Sequence, residues 1–379
     1  MKQKYPSGHK KVLIMHAPFG VGHRAAANAI EEAFALKHSD VEVKNIDVLD
    51  FVFEIFRQIL PWAFVFFNSN TPFVYKWVYR YYNSPSRYKS LNNASKSILR
   101  KSSFVKFINN FAPDFIISTN PLPMQLVSKT KEENIINIPS ANVCTDYGFH
   151  SFWHNKDVNY YFIANEDIKK SLIDHNVEDY KIKVVGIPTS SKFTKIMDKK
   201  AIISKLGFKE TKPILLAVGG RTSFKNLLRI IKGVKEKNKN LQIIIVAGRD
   251  KILYKNLKNS KIDDDSFTKI FGFISNLDEY MTVADLILTK AGGLTVSECL
   301  IKNLPMVIND IIPGQEEDNV NYAVKNGFGL KADNAKEAIT EINELFLHSE
   351  KLIKMRENCK KLSKPDAAID IADFITTKI

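Results

Sequence analysis

Short apolar runs punctuate this chain of 379 residues, and most of the stretches between them read as helices. That alternation constrains the fold more than anything else in the sequence. Successive strands joined by helices run parallel, and a parallel sheet needs cover on both faces. The first series of runs is 12–15, 41–46, 115–118, 138–143, 158–163 and 184–185, with helices at 24–36 and 165–175. A second series restarts at 214–218 and continues through 241–247, 269–273, 286–288 and 306–308. The restart after Gly186, Ile187 and Pro188 marks a boundary, and 379 residues is long for one core. The expected class is α/β with two Rossmann-like domains, residues 1–187 and 188–358, and a closing segment 359–379.

Several function classes drop out on composition. The longest apolar run, 60–67, is far too short to span a bilayer. Only residues 12–15 form an apolar core behind the basic start, so no secretory signal is expected. Cys144, Cys299 and Cys359 are widely separated, without metal-ligand spacing, and suit a reducing compartment. Asp263, Asp264 and Asp265 fall in a polar loop away from the strand ends and read as solvated, so no metal is expected. The net charge of +14 asks for an anionic partner: a membrane surface, a phosphorylated substrate or a nucleic acid. Nucleic acid ranks last, because the aromatic residues lie in long apolar stretches and not on exposed alternating strands.

The most specific chemistry lies between residues 286 and 319. An apolar run ends at Ala291, Gly292 and Gly293, and a helix opens through Leu294 and Thr295 with Glu298 about one turn further in. Glycines let a phosphate approach the backbone, and free amides at a helix start bind it. Glu298 is placed to accept two ribose hydroxyls. Gln315, Glu316, Glu317 and Asn319 follow the next run and offer amide and carboxylate partners for sugar hydroxyls; read more plainly, they are an acidic solvated loop. Together they suggest a nucleotide-sugar site. Gly219 and Gly220, followed by Arg221, either approach a diphosphate or form an ordinary strand-end turn.

In the first half, Gly20, Val21 and Gly22 lead into His23 at a helix start. A helix N-terminus disfavours imidazolium, so the ring stays neutral and can take a proton from an alcohol. Asp146, after the run 138–143, either orients His23 or caps its own loop.

These motifs, with Pro113, Asp114, Thr145, His150, Trp153, Gly186, Pro188, Gly272 and Phe273 in order and spacing, resemble the diacylglycerol glycosyltransferases of the GT-B type across nearly the whole chain. The resemblance implies two Rossmann-like domains with a cleft between them, and a last helix, 366–378, returning to the first domain. It implies an inverting transfer of a hexose, glucose by preference, from a UDP-sugar to the free hydroxyl of 1,2-diacylglycerol, with no cofactor. His23, with Gly22 beside it, matches the histidine proposed as base. His150 and Trp153 would line the acceptor cleft, and the backbone at Phe273 would meet the uracil. Galactose or N-acetylglucosamine transfer to another membrane lipid is the near alternative. A non-catalytic sensor of nucleotide sugar at the membrane is the distant one.

Residues 51–106 break the alternating pattern. Fourteen of the 38 residues from 51 to 88 are aromatic, which raises the question of what they face. From 55 to 113 there is no acid, yet nine basic residues occur. Rings flanked by cations suit a lipid headgroup region. Trp77, Lys76, Arg80 and Arg87 are therefore candidate contacts to an anionic membrane, with the protein peripheral on the cytoplasmic face; core aromatics under a solvated surface are the plainer reading.

Overall fold

The computed structural model describes residues 8–18, 20–52, 54, 57, 59, 71, 76, 77, 80–83, 101–219, 224–263, 265–311, 314 and 316–379, with Phe224 as backbone only. The chain packs as two units. The first comprises Met1–Ser191, Ile312–Asp318 and Lys364–Ile379; the second comprises Lys192–Ile311 and Asn319–Ser363. The boundary expected from the sequence, 187/188, is thus a few residues early, and the expected domains kept 312–318 and 359–363 with neighbouring segments that the contacts separate. The physical reason for the later boundary is local: Ser190 Oγ donates to Glu32 at 3.0 Å, and Ser191 also donates to that carboxylate, so both stay with the first unit.

In the first unit, β1 (Lys11–His16), β2 (Glu42–Asp47), β3 (Phe115–Ser118), β4 (Ser140–Val143), β5 (Tyr160–Ile163) and β6 (Ile182–Val184) form one sheet in the order β2-β1-β3-β4-β5-β6. All its pairings are parallel. Among the described residues its complete helices ahead of the chain's last one are α1 (Gly22–Lys37), α2 (Lys101–Phe111), α3 (Pro121–Glu132) and α4 (Glu166–Asp174). Val12, Ile14, Phe115, Ile117, Ala141 and Phe162 are fully buried in the unit's core against Ala27, Ile30 and Phe34 of α1. The last helix of the chain, Ala367–Thr376, adds Ile371, Ala372 and Ile375 to the same core.

In the second unit, β7 (Ile214–Val218), β8 (Gln242–Val246), β9 (Thr268–Phe271), β10 (Leu286–Thr289), β11 (Met306–Ile308) and β12 (Gly329–Lys331) form a second parallel sheet, ordered β12-β11-β10-β7-β8-β9. Its helices are α5 (Lys199–Lys205), α6 (Phe224–Lys237), α7 (Lys251–Asn259), α8 (Leu277–Val283), α9 (Gly293–Ile301), α10 (Glu317–Lys325), α11 (Ala335–Leu347) and α12 (Ser349–Leu362), of which α10 begins in residues assigned to the first unit. The helix Ala367–Thr376 is α13. Strand β12 is not legible in the sequence, because a three-residue strand carrying one apolar side chain, Leu330, has no periodicity to read.

Each strand order contains one reversal. In the first sheet it lies between β1 and β3, in the second between β7 and β10. The carboxyl ends of strands at such a reversal diverge and leave a crevice, where open α/β sheets bind ligands. Those four ends carry His16, Thr119, Gly219 and Lys290.

Candidate active site

In the first unit the β1–α1 turn brings His23 to the crevice. Gly20 at its apex has φ +91°, a left-handed conformation that favours glycine. The residue preceding α1, Val21, offers no side-chain cap, so the helix's first amides lack an intrahelical or capping partner from that residue. The His23 ring is 8% exposed. Its Nδ1 lies 2.8 Å from the Thr119 carbonyl and 2.9 Å from the Thr145 hydroxyl oxygen. A carbonyl only accepts, so Nδ1 carries the hydrogen and Nε2 keeps the lone pair. Thr119 returns a bond from its hydroxyl to the His23 carbonyl at 2.9 Å, and its amide is held by Met15 of β1 at 3.1 Å. Burial pulls the imidazole pKa down to about 4, against the Thr119 carbonyl, which raises it. The ring is thus neutral, fixed in one tautomer and basic at Nε2.

The predicted neighbours of His23 fall in different places. Asp146 is half-buried two residues beyond Val143–Cys144 at the end of β4. Nδ1 of the His23 ring is held by Thr119, just past β3, and by Thr145, just past β4. His150 is 2% exposed and caps the short 3-10 turn Ser151–Trp153, accepting the Phe152 amide at Nδ1 over 3.1 Å. Trp153 is 4% exposed and packs beside the imidazole, its ring 6.3 Å from that of His23. Gly22 is the first residue of α1.

Glu317 does not lie open to a sugar. Lys76 Nζ pairs with it at 2.5 Å and Arg80 at 2.8 Å, both within the first unit. Burial pushes its carboxyl up, but the two cations outweigh that and hold it below the ordinary glutamate value. Lys76 and Arg80, read from the sequence as candidate membrane contacts, are both paired with this carboxylate. Trp77 remains 65% exposed, stacked on Tyr81 with centroids 5.1 Å apart. Glu316 is buried. Gln315, Gly220, Arg221 and Arg87 lie outside the described residues.

In the second unit, β10 ends at Lys290 and Ala291, and Gly292 (ψ 142°) precedes α9 without any side-chain cap. The amides of Gly293, Leu294 and Thr295 are therefore orphan donors at the positive end of a helix. The Lys290 ammonium lies beside Gly292, 4.0 Å from where a Cβ would stand. Asn319, expected near the donor sugar, is fully buried, and its amide holds the Ala291 carbonyl at 3.0 Å. That bond shapes the loop leading into α9. Gly219 packs so closely that a Cβ would meet Leu253 at 2.8 Å. Phe273 follows β9, 64% exposed, with the Arg249 guanidinium 5.0 Å above its ring.

Glu298 is half-buried one turn into α9. Burial pushes its carboxyl up to about 8; Lys192 works against the shift and Asp278 adds to it. Lys192 donates to the Ser275 carbonyl at 2.8 Å and lies 3.7 Å from Asp278. Nothing in the sequence singles out Lys192, Asp278 or Thr119, because each acquires its place through the packing of distant segments.

Comparison with known proteins converges on one group. Residues 23–189 match the monogalactosyldiacylglycerol (MGDG) synthase family model, and residues 214–371 match the glycosyltransferase family 28 C-terminal domain. A processive diacylglycerol beta-glucosyltransferase of Staphylococcus epidermidis is 31% identical over 97% of this chain and 93% of its own length. One of the same name from Bacillus cereus is 29% identical over 96% and 93%. Among solved structures, Acinetobacter baumannii MurG superposes with a TM-score of 0.64 at 15% identity, covering 97% of this chain and 99% of that one. A Staphylococcus aureus MnaA–UDP structure gives 0.66 at 11% identity, with 97% and 96% covered. At those identities the likeness shows the fold alone, and it is the GT-B class.

Proposed function

This chain belongs to the family of the processive diacylglycerol beta-glucosyltransferases, and from that premise we propose that it transfers glucose from a UDP-sugar to the free hydroxyl of 1,2-diacylglycerol with inversion at the anomeric carbon. The observation that carries the reading is His23: a buried, neutral imidazole at the head of α1, with Nδ1–H tied to a backbone carbonyl and Nε2 left as the base.

In this scheme Nε2 of His23 accepts the proton of the lipid hydroxyl while that oxygen attacks the anomeric carbon. A base with a pKa near 4 takes the proton late, as the new C–O bond makes the hydroxyl strongly acidic. Asp146, next to Thr145 in the loop that touches the ring, supplies negative charge as imidazolium develops. UDP leaves from the opposite face, so an α-linked donor gives a β-glycoside. The orphan amides of α9, the Lys290 ammonium and the Gly219 loop meet the departing diphosphate, a fixed electrostatic stabilisation that needs no metal. Glu298 accepts the ribose hydroxyls, and Phe273 with Arg249 borders the base. Of the residues read as sugar partners, Gln315 and Glu316 keep that role; Glu317 does not, being paired.

We also propose that the protein works peripherally on an anionic membrane surface, at its cytoplasmic face. Among the described residues no helix is long and apolar enough to cross a membrane. The exposed Trp77–Tyr81 stack supplies an aromatic anchor of the kind that sits among lipid headgroups.

The test is to incubate the protein with diacylglycerol micelles and a panel of UDP-sugars and identify products by mass and anomeric configuration. A β-glucosyl diacylglycerol made from UDP-glucose is expected. Transfer from UDP-galactose or UDP-N-acetylglucosamine in preference would replace the sugar, and no transfer to diacylglycerol would overturn the reading.

A further inference from the structure

His16 is the last residue of β1, at the carboxyl edge where the first sheet reverses order. Its side chain is 6% exposed, and its buried Nδ1 has no hydrogen-bond partner among the described residues. Buried polar nitrogens are nearly always satisfied, and one left open at a ligand-binding edge points to a partner that arrives with the ligand.

The surrounding charges do not fill that role. Asp47 is its registered neighbour on β2, but that carboxylate already caps the following turn, accepting the Leu49 amide at 2.9 Å. Asp50 pairs with Arg57 at 3.0 Å, and Glu31 accepts the Asn45 amide at 2.9 Å. Arg24 adds a cation on the α1 side, and the field of His16 reaches His23. The strand carrying His16 also anchors Thr119, which clamps the base: Met15, its immediate neighbour, accepts the Thr119 amide. His16 and His23 thus flank the same turn and the same threonine.

We infer that His16 is an acceptor-binding residue: its Nδ1 hydrogen-bonds the hydroxyl-bearing headgroup of the lipid that His23 deprotonates, and so fixes that headgroup beside the base. This rests on the reading of His23 given above. The ligand chemistry is a polyol headgroup, glycerol or a sugar already attached to it, because a neutral imidazole nitrogen suits a hydroxyl and not an acyl chain.

The experiment is steady-state kinetics with diacylglycerol and UDP-glucose for His16→Leu and His16→Asn. Leucine removes the nitrogen, whereas asparagine sets a polar atom near the Nδ1 position. His16→Leu should raise the KM for diacylglycerol roughly tenfold, the scale of one hydrogen bond. The KM for UDP-glucose should stay within about twofold and kcat within about threefold. His16→Asn should bring the acceptor KM back to within about threefold of the unaltered protein. An unchanged acceptor KM in His16→Leu overturns the assignment, as does an equal rise in both KM values that asparagine leaves unrescued. If His16→Leu does not fold, His16→Asn and His16→Gln decide. A near-native acceptor KM for asparagine and a raised one for glutamine support the role of Nδ1, and equal values overturn it. Failure of the base reading is visible separately, as undiminished kcat in His23→Ala.

Discussion

At the residue scale the two halves use burial in opposite directions. Burial of His23 disfavours its charged form and leaves a neutral base, whereas burial of Glu298 disfavours its charged form and leaves a neutral acid until something compensates. His23→Ala should lower kcat by roughly a hundredfold or more while UDP still binds. The acid limb of the unaltered enzyme's pH profile should fall near pH 4, not 6.5, in kcat/KM against pH. The same shift sets a stability slope. The folded ring titrates below the unfolded one, so the unfolded chain takes the proton first as pH falls. This site's contribution is intact above about 6.5 and is lost on the way down to about 4. Denaturant titrations between about pH 4 and about pH 7.5 should show a shallower slope in His23→Gln. For Glu298, replacement by Ala should weaken UDP binding by about 1.5–3 kcal/mol, the scale of hydrogen bonds to a charged group. A carboxyl with a pKa near 8 that ionises on accepting two ribose hydroxyls releases a proton at pH 7. Calorimetry in buffers of different ionisation heat should detect that proton with the unaltered protein and not with Glu298→Gln. Equal heats for both would remove Glu298 from the ribose site.

At the scale of elements, short turns between strand and helix do the positioning. The β1–α1 turn presents His23, the residue after β3 clamps it, and the uncapped start of α9 presents amides where β10 ends. Glu317 at the start of α10 neutralises part of the basic segment by engaging Lys76 and Arg80 together. In the proposed membrane role those cations would contribute less attraction than their number suggests. Glu317→Gln should free them and strengthen binding to phosphatidylglycerol vesicles by about 1 kcal/mol, more at low salt than at high salt. Vesicle sedimentation reads this directly. Binding unchanged by the substitution, or indifferent to lipid charge, would assign the segment to a solvated surface.

For the molecule as a whole, the two units are built from non-contiguous chain. The first is completed by α13, whose Ile371 and Ile375 are fully buried among residues of β1, β3, β5 and α1. Truncating either isoleucine to Ala should cost about 2–5 kcal/mol. The loss should appear as an earlier unfolding transition of the first unit, while UDP affinity, which the proposed site assigns to the second unit, is retained. Thermal unfolding with and without UDP would check it, and a variant that melts like the unaltered protein would mean that α13 adds little to that core.

The sequence by itself determined the architecture and the chemical types. Alternating apolar runs and helices force parallel sheets covered on both faces, and glycine turns ahead of helix starts require a close backbone approach whatever the rest of the chain does. Those are local properties, so His23, Glu298 and the Ala291–Gly293 turn are legible in the order of residues alone. What only the tertiary structure decided are the partners, because each depends on segments brought together across many residues. The His23 ring is held by the Thr119 carbonyl, nearly a hundred residues away. Glu317 and Asn319, neighbours in one polar run, part company. The first is bound by cations of the segment read as membrane-facing, and the second is buried beneath the loop it supports. In sequence His16 is the end of a strand and nothing more. Its open nitrogen becomes visible only when β2, β3 and α1 pack around it and leave that one position unfilled.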